Sequence, residues 1–190
     1  MSDFELDIDH CLTVLEQGGT ILYPTDTVWG IGCDATNPAA VEKIYAIKDR
    51  PADKSMIVLV ADEKGILKYV ANPDPRIFDF LKEASKPTTV IYNGALGLAE
   101  NLLHENGSVA IRVVNDKFCR HLIKRFRKPI VSTSANITGD PTPGKYTEVL
   151  NHIVTNVDYV VTYRQDDETV AEASAIVMLE RDGTPTYIRK

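Results

Sequence analysis

Three cationic side chains, Lys48, Arg50 and Lys54, lie within seven residues directly before the apolar segment MIVLV. Clustered cations of this kind bind anions, because their N–H groups form charge-assisted hydrogen bonds with phosphates and carboxylates. The alternative is the solvated end of a helix, where the helix dipole favours cations. Pro51 cannot continue a helix, so Arg50 and Lys54 are expected on a loop that leads into a buried strand. An unpaired cation is unfavourable there, and this favours an anion site.

Hydroxyl-bearing side chains follow two predicted strands. Thr25 and Thr27 come directly after the strand TILYP, and a second cluster closes the strand PIVSTS, with Ser132, Thr133, Ser134 and Asn136. Such residues often only cap the next turn. In open α/β sheets, however, ligands collect beyond the carboxyl ends of strands. Two hydroxyl clusters together with a cationic loop therefore predict an anionic ligand.

Arg112 stands inside SVAIRVV, a segment that otherwise has the pattern of a buried strand. An arginine is rarely buried unless it is paired. Its partner could be a structural aspartate or the carboxylate of a substrate, held by a bidentate fork. The sequence leaves both possibilities open.

The elements that position these residues alternate between strand and helix along the chain. Asn37 followed by Pro38 predicts the start of a helix, since asparagine caps helices and proline suits the first helical position. Asp-Gly in RDGT predicts a hairpin before the last strand, so a wholly parallel sheet is not expected. The sequence predicts an α/β fold: one domain over residues 1–190, with a twisted mixed sheet and flanking helices.

GIGCDA fits the spacing of a dinucleotide-binding loop but not its context. Six residues separate Tyr23 from Gly30, and the next helix is predicted to begin only near Pro38. A dinucleotide site needs the glycines directly between a strand and a helix. We therefore interpret GIGCDA as a glycine turn.

Composition narrows the class of protein. The chain has 190 residues, a formal net charge of −6 and three cysteines without C-x-x-C spacing. Bulk charge does not favour general nucleic-acid binding, and the cysteines favour neither a disulfide framework nor a zinc site. The acidic start, MSDFELDIDH, lacks the pattern of a secretory signal, and no apolar run has membrane-spanning length. We expect a cytoplasmic protein without a resident metal and without membrane contact.

Five segments, in this order along the chain, resemble the YrdC-type family of threonylcarbamoyl-AMP synthases: LYPTDTVWGIGCDA, KDRPADKSMIVLV, SVAIRV, STSANITGDPTP and YIRK. The resemblance implies a YrdC-like fold and a nucleotidyltransferase. The implied substrates are L-threonine, bicarbonate or carbon dioxide, and ATP with magnesium. The implied products are threonylcarbamoyl-AMP, which a downstream tRNA threonylcarbamoyl transferase consumes, and pyrophosphate.

The resemblance also implies roles for particular residues. Lys48 and Arg50 match a pair that lies along the triphosphate, and they are the expected catalytic residues. The expected ATP contacts are Arg50, Lys54, Ser108, Ser134, Asn136, Thr142 and Arg189. The expected threonine contacts are Thr27, Arg112, Ser132 and Ser174. The chain departs from the family where SKPTTVIY replaces a W-P-G-P element, and where Leu59 stands in place of a histidine.

A second class of function is an RNA-binding protein of the same fold without synthase activity. Residues 112–128 contain seven cations against one acid, and four of the cations recur at helical spacing: Lys117, Arg120, Lys124 and Arg127. This pattern is typical of a solvated helix face. It also fits a stripe that follows the phosphates of tRNA or double-stranded RNA.

Overall fold

A computed structural model describes residues 3–49, 56–180 and 182–190. Within these residues the helices are α1 (Glu5–Glu16), α2 (Pro38–Lys48), α3 (Glu63–Tyr69), α4 (Arg76–Glu83), α5 (Lys117–Phe126) and α6 (Asn151–Asn156), with 3-10 turns at Glu100–Leu102 and Tyr146–Glu148. The strands are β1 (Ile21–Tyr23), β2 (Gly30–Gly32), β3 (Ile57–Val60), β4 (Thr88–Tyr92), β5 (Val109–Val113), β6 (Ile130–Ser134), β7 (Tyr159–Val160), β8 (Ala175–Leu179) and β9 (Pro185–Arg189).

The described strands form one mixed sheet in the order β7-β1-β2-β6-β3-β5-β4-β8-β9. Three neighbouring pairs are parallel: β1 with β7, β3 with β5, and β4 with β8. The last two strands are antiparallel, as the Asp-Gly turn predicts. The expected α/β mixed sheet with flanking helices is confirmed.

Local sequence explains where the helices begin and what they bury. The Asn37 side chain accepts hydrogen bonds from the N–H groups of Ala39 and Ala40, and Pro38 takes the first helical position of α2. Helix α5 buries Phe118, Leu122 and other apolar residues against the sheet and packs beside α1. None of the helices in the described part of the chain is long and apolar enough to cross a membrane.

The structure corrects two sequence predictions. GIGCDA is not a turn at its glycines, because Gly30–Gly32 forms strand β2 between β1 and β6. A Cβ at Gly32 would lie 2.6 Å from both the Tyr23 ring and the Val131 carbonyl oxygen, so only glycine fits there. The strand predicted over DYVVTY ends at Val160, because the N–H groups of Thr162 and Tyr163 bond to the Asp7 carboxylate instead.

Two helical segments also differ from expectation. Helix α3 was not predicted, since Gly65 lowers its helix propensity. A Cβ at Gly65 would lie 2.6 Å from Val60, so the glycine lets α3 pack closely on β3. The helix predicted over GKYTEVLNHI divides into a 3-10 turn and α6, because Val149 and Leu150 have extended backbone.

Candidate active site

A cavity of about 190 Å³ lies on one face of the sheet, beside β6, β3, β5 and β8. Seven of the residues predicted to contact ATP or threonine line it: Thr27, Arg112, Ser132, Ser134, Thr142, Ser174 and Arg189. They come from six separate segments of the chain, so only the fold brings them together. The volume suits a small ligand, or the reacting end of a larger one.

Strand register explains why these side chains share a face. Ile57 on β3 is opposite both Ala110 on β5 and Ser132 on β6. Arg112, two residues beyond Ala110, therefore points to the same side as Ser132. Gly30 also lines the cavity, and a Cβ there would lie 2.9 Å from the Ser132 Oγ. Glycine at this position keeps the cavity open.

Arg112 answers the question that the sequence left open. Its Nη2 donates to the Oδ1 of Asp26 at 3.0 Å, and both side chains are less than a tenth exposed. The Asp26 Oδ2 accepts a second hydrogen bond from the Asn115 N–H. The Arg112 Nε, also buried, has no hydrogen-bond partner among the described residues. The arginine therefore pairs with a structural aspartate and also keeps an unpaired donor, Nε. Buried donors are normally hydrogen-bonded, so an acceptor is expected at Nε.

Asp26 is a site residue that sequence analysis missed. It stands between the two threonines of YPTDT, a pattern that indicates hydroxyl groups and gives no separate signal for the acid. In the sequence Asp26 and Arg112 are 86 residues apart, so no local pattern connects them. Only the sheet topology makes them partners.

Arg189 brings a second guanidinium to the cavity. Its Nε donates to the Ser174 carbonyl oxygen at 2.9 Å, and the Ser174 Oγ lies 2.8 Å from the Thr89 Oγ1. Burial, and then the positive charge of Arg112, lower the pKa of Arg189. An arginine remains charged in spite of such a shift. Two mutually repelling cations at one small cavity make it a site for an anion.

Thr27 is held in place by its neighbour Thr25. The Thr25 Oγ1 accepts from the Thr27 N–H at 3.0 Å, lies 3.0 Å from the Thr27 Oγ1 and donates to the Val28 carbonyl oxygen. These bonds form a tight hydroxyl turn after β1. The turn sets the position of the Thr27 hydroxyl at the cavity wall.

Lys48, which was predicted to lie along the triphosphate, has a buried side chain. Only 1% of it is exposed, and it does not line the cavity. Its Nζ donates to the carbonyl oxygens of Ser134 and Asn136, while the Thr138 N–H donates to the Lys48 carbonyl oxygen. These bonds make Lys48 a support for the loop after β6, and its contact with phosphate stays a prediction.

The remaining predicted residues lie around the cavity or outside the described chain. Asn136 accepts from the Ser134 Oγ at 2.5 Å and donates to the Asp140 carbonyl oxygen, so it fixes the loop and does not line the cavity. Ser108 directly precedes β5, on the same face as Arg112 by strand alternation, and also lies outside the cavity lining. Arg50 and Lys54 lie outside the described residues, and their roles stay predictions.

A second cavity, of about 630 Å³, lies near the carboxyl ends of β3 and β5. The segment that replaces W-P-G-P contributes Ser85, Lys86 and Pro87 to its wall. Asp26 lines this larger cavity and its partner Arg112 lines the smaller one, so their ion pair lies between the two. None of the predicted ATP or threonine contacts that the structure describes lines the larger cavity. The smaller one is therefore the candidate active site.

The mixed sheet of this α/β protein carries two guanidinium groups and several hydroxyls at one cavity, an arrangement suited to a small anion. The family model for Sua5, YciO and YrdC, described as "Telomere recombination", matches residues 13–190. The chain belongs to this family. The threonylcarbamoyl-AMP synthase of Pseudoalteromonas translucida is 37% identical over 165 residues, which cover 85% of this chain and 87% of that protein.

Solved structures support the fold. P. abyssi Sua5, in a crystal structure of its complex with L-threonine, has a TM-score of 0.82 and 24% identity over 97% of this chain. The match covers 54% of that protein, so this chain spans about half the length of P. abyssi Sua5. E. coli YciO has a TM-score of 0.83 and 22% identity over 97% of this chain and 89% of its own. At these identities the structures establish a shared fold.

Proposed function

We propose that this protein is an L-threonylcarbamoyladenylate synthase, an enzyme that joins L-threonine, carbon dioxide or bicarbonate, and ATP. Relatives named threonylcarbamoyl-AMP synthase, 33–37% identical over most of the chain, support the reaction. The observation that carries the proposal is the Arg112 Nε, a buried donor without a partner in the described chain, on a guanidinium that lines a cavity of amino-acid size. The threonine carboxylate would supply the acceptor.

The threonine side of the site would use the groups nearest Arg112. The carboxylate would lie against Arg112, whose other edge is already fixed by Asp26 at 3.0 Å. The hydroxyls of Thr27, Ser132 and Ser174, which line the same cavity, would hold the polar groups of the amino acid. A site that hydrogen-bonds a substrate hydroxyl discriminates strongly against analogues that lack it. This would favour threonine over valine or alanine.

The chemistry needs no side-chain nucleophile. The neutral amine of threonine attacks carbon dioxide, and loss of a proton to a substrate oxygen or water gives the carbamate. A carbamate oxygen then attacks the α-phosphorus of ATP, and the bond to pyrophosphate breaks. Steps of this kind depend on positioning and on stabilisation of developing negative charge. Arg112 and Arg189 would supply part of the positive charge that stabilises it, and Arg50 and Lys54 would supply the rest.

The nucleotide would bind toward the loop after β6. Ser134 and Thr142 line the cavity there, and Asn136 and Lys48 hold the loop that carries them. Ser108 lies further along the same face, where the nucleotide would extend. Magnesium would enter with the triphosphate as part of the substrate. Among the described residues no group of three His, Cys, Asp or Glu side chains forms a metal site.

The decisive experiment measures pyrophosphate release with ATP, bicarbonate and each amino acid in turn. Release that requires both threonine and bicarbonate, with threonylcarbamoyl-AMP found by mass spectrometry, supports the proposal. Release with another amino acid would change the substrate, and no release with any amino acid would overturn the function. Arg125→Ala serves as a matched control, because its contacts at Glu5 and Asp9 are exposed.

We also propose that the product passes to a tRNA threonylcarbamoyl transferase in the cytoplasm. A second candidate function is direct binding of tRNA or double-stranded RNA, and one observation favours it. The four stripe cations are exposed and form no ion pair within the described residues; three lie on α5 (Lys117, Arg120 and Lys124), and Arg127 is the residue that ends it. RNA binding through them should weaken steeply between low and physiological salt. Lys117→Glu with Lys124→Glu should abolish it while pyrophosphate release is unchanged.

A further inference from the structure

The 14 residues between β7 and β8, which we call the strap (161–174), contain neither helix nor strand. At its start the Asp7 carboxylate accepts hydrogen bonds from the N–H groups of Thr162 and Tyr163. At its end Ala173 and Ser174 line the candidate active site. The strap therefore forms part of the cavity wall although it has no regular structure of its own.

The middle of the strap is tied to the loop that supplies Thr142. The Ala171 N–H donates to the Gly144 carbonyl oxygen at 3.1 Å, and the Lys145 Nζ forms an ion pair with Glu168. These contacts join two irregular segments to each other. Neither contact reaches the hydroxyl turn that holds Thr27 on the other side of the cavity.

Arg164 makes that missing connection. Its Nη1 donates to the Thr25 carbonyl oxygen at 3.2 Å and lies 3.3 Å from the Asp116 Oδ2, at the N-terminal cap of α5. Its Nε donates to Asp167 within the strap at 3.2 Å. Arg164 has a φ of 67°, a left-handed conformation that residues other than glycine adopt rarely and that surrounding contacts must maintain. One guanidinium thus joins the strap, the hydroxyl turn and α5.

We propose that Arg164 is a positioning residue for the amino-acid side of the active site, an inference that rests on the proposed synthase function. Thr25 is the shared link: its carbonyl oxygen is held by Arg164, and its hydroxyl holds Thr27. Thr27 is therefore the threonine contact that Arg164 positions, whereas Ser174, at the end of the strap, is held separately by Thr89 and Arg189. Ser134, on the nucleotide side, forms no hydrogen bond with Arg164, Thr25 or Thr27, so the binding of ATP should depend on Arg164 much less than the binding of threonine.

The fork shape of the guanidinium matters for this role. Three acceptors in different directions can be reached by a planar group with several N–H donors, whereas an ammonium is a compact point charge. Arg164→Lys should therefore keep the positive charge near Asp116 but lose some of the hydrogen bonds to the three acceptors. A role limited to surface charge would be fully restored by lysine.

The experiment compares steady-state kinetics of wild type, Arg164→Ala, Arg164→Lys and the control Arg125→Ala. We expect Arg164→Ala to raise the KM for threonine about tenfold, with kcat and the KM for ATP within about twofold of wild type. Arg164→Lys should give an intermediate KM, and Arg125→Ala should match wild type. Asp116→Asn, which keeps the helix cap but removes the ion pair, should raise the KM for threonine less and should not add fully to Arg164→Ala.

Amide hydrogen exchange keeps this proposal separate from the synthase proposal. In Arg164→Ala, residues 25–28 and the strap should exchange faster, while β3 and β5 remain protected. Unchanged exchange at 25–28, or equal rises in both KM values, would overturn the positioning role of Arg164. A wild-type protein that releases no pyrophosphate with threonine would instead overturn the proposed function, even if the exchange result holds.

Discussion

Arg112 and Asp26 form an ion pair at 3.0 Å below the cavity, with side chains 3% and 8% exposed. A buried pair of this kind adds little net stability, because both charges lose their hydration. Its value lies in geometry: Asp26 fixes one edge of the guanidinium and leaves Nε for a ligand. The pair therefore links the stability of the fold to the orientation of its principal anion-binding group.

Asp26→Asn should lower the free energy of unfolding by about 3 kcal/mol, because it leaves the buried charge of Arg112 without a carboxylate. Urea denaturation followed by circular dichroism measures the change. Asp79→Asn is the matched control, since the ion pair of Asp79 with Lys82 is long (3.7 Å) and exposed. We expect at most about 0.5 kcal/mol there. Equal losses of unfolding free energy in the two variants would show that the buried pair matters no more for stability than the exposed one.

Arg112→Lys should reduce kcat/KM for threonine by about 100-fold while the fold is retained. Lysine can still pair with Asp26, but it lacks the second donor edge that a carboxylate needs for a bidentate contact. Steady-state pyrophosphate release at varied threonine and saturating ATP measures the loss. The KM for ATP should change by less than about threefold. A lysine variant with wild-type threonine kinetics would remove the Arg112 Nε from the binding site.

Gly30→Ala should raise the KM for threonine about tenfold, because the added methyl group would lie 2.9 Å from the Ser132 Oγ in the cavity wall. Isothermal titration with threonine gives the affinity directly. Gly97→Ala is the control: its φ of 63° strains an alanine, but nothing lies within 4 Å of the added Cβ. That variant should lose about 1 kcal/mol of stability and keep its affinity for threonine. Equal affinities for Gly30→Ala and wild type would show that the cavity tolerates the methyl group.

Sequence patterns predicted the regular part of the fold, because it depends on local periodicity, and the family resemblance predicted half of the residues that line the cavity, because they lie in matched motifs. Arg112 was expected to have a partner, but the choice of Asp26 depends on which strands become neighbours. Lys48 was predicted along the triphosphate. Its hydrogen bonds to the carbonyl oxygens of Ser134 and Asn136 could not be predicted, because those residues are 86 and 88 positions away in the chain. The strap had no periodicity to follow, so Arg164 could not be assigned from sequence. What escaped prediction is pairing between distant segments.

Asp7 should make the stability of the protein depend on pH below about 4. Burial raises the pKa of Asp7, but hydrogen bonds from Tyr159, Thr162 and Tyr163 lower it by more, to below its usual value of 3.8. A carboxyl group with a lowered pKa in the folded state stabilises that state above its unfolded pKa, and loses this effect as pH falls through the folded pKa. The difference in unfolding free energy between wild type and Asp7→Asn should therefore be largest above pH 5 and shrink toward pH 3.

Urea denaturation at pH 6, 4 and 3 measures this difference. Asp9→Asn, on the same helix, is the control, because Asp9 is 60% exposed in its pair with Arg125. Asp9→Asn should change the free energy of unfolding by at most about 0.5 kcal/mol at every pH. A wild-type advantage over Asp7→Asn that is the same at pH 6 and pH 3 would show that the hydrogen bonds do not depend on the charge of Asp7.

Lys48→Met should distinguish support of the loop from contact with phosphate. If Lys48 supports the loop, the substitution removes the donor that the carbonyl oxygens of Ser134 and Asn136 share, and the free energy of unfolding without ligand falls by about 2–4 kcal/mol. Lys48→Arg should not restore the stability, because Lys48 is only 1% exposed and its buried position has no room for the larger guanidinium. Thermal unfolding without nucleotide measures the loss. A lysine that only touched phosphate would give the opposite result: unchanged stability without ATP, a raised KM for ATP, and partial rescue by arginine.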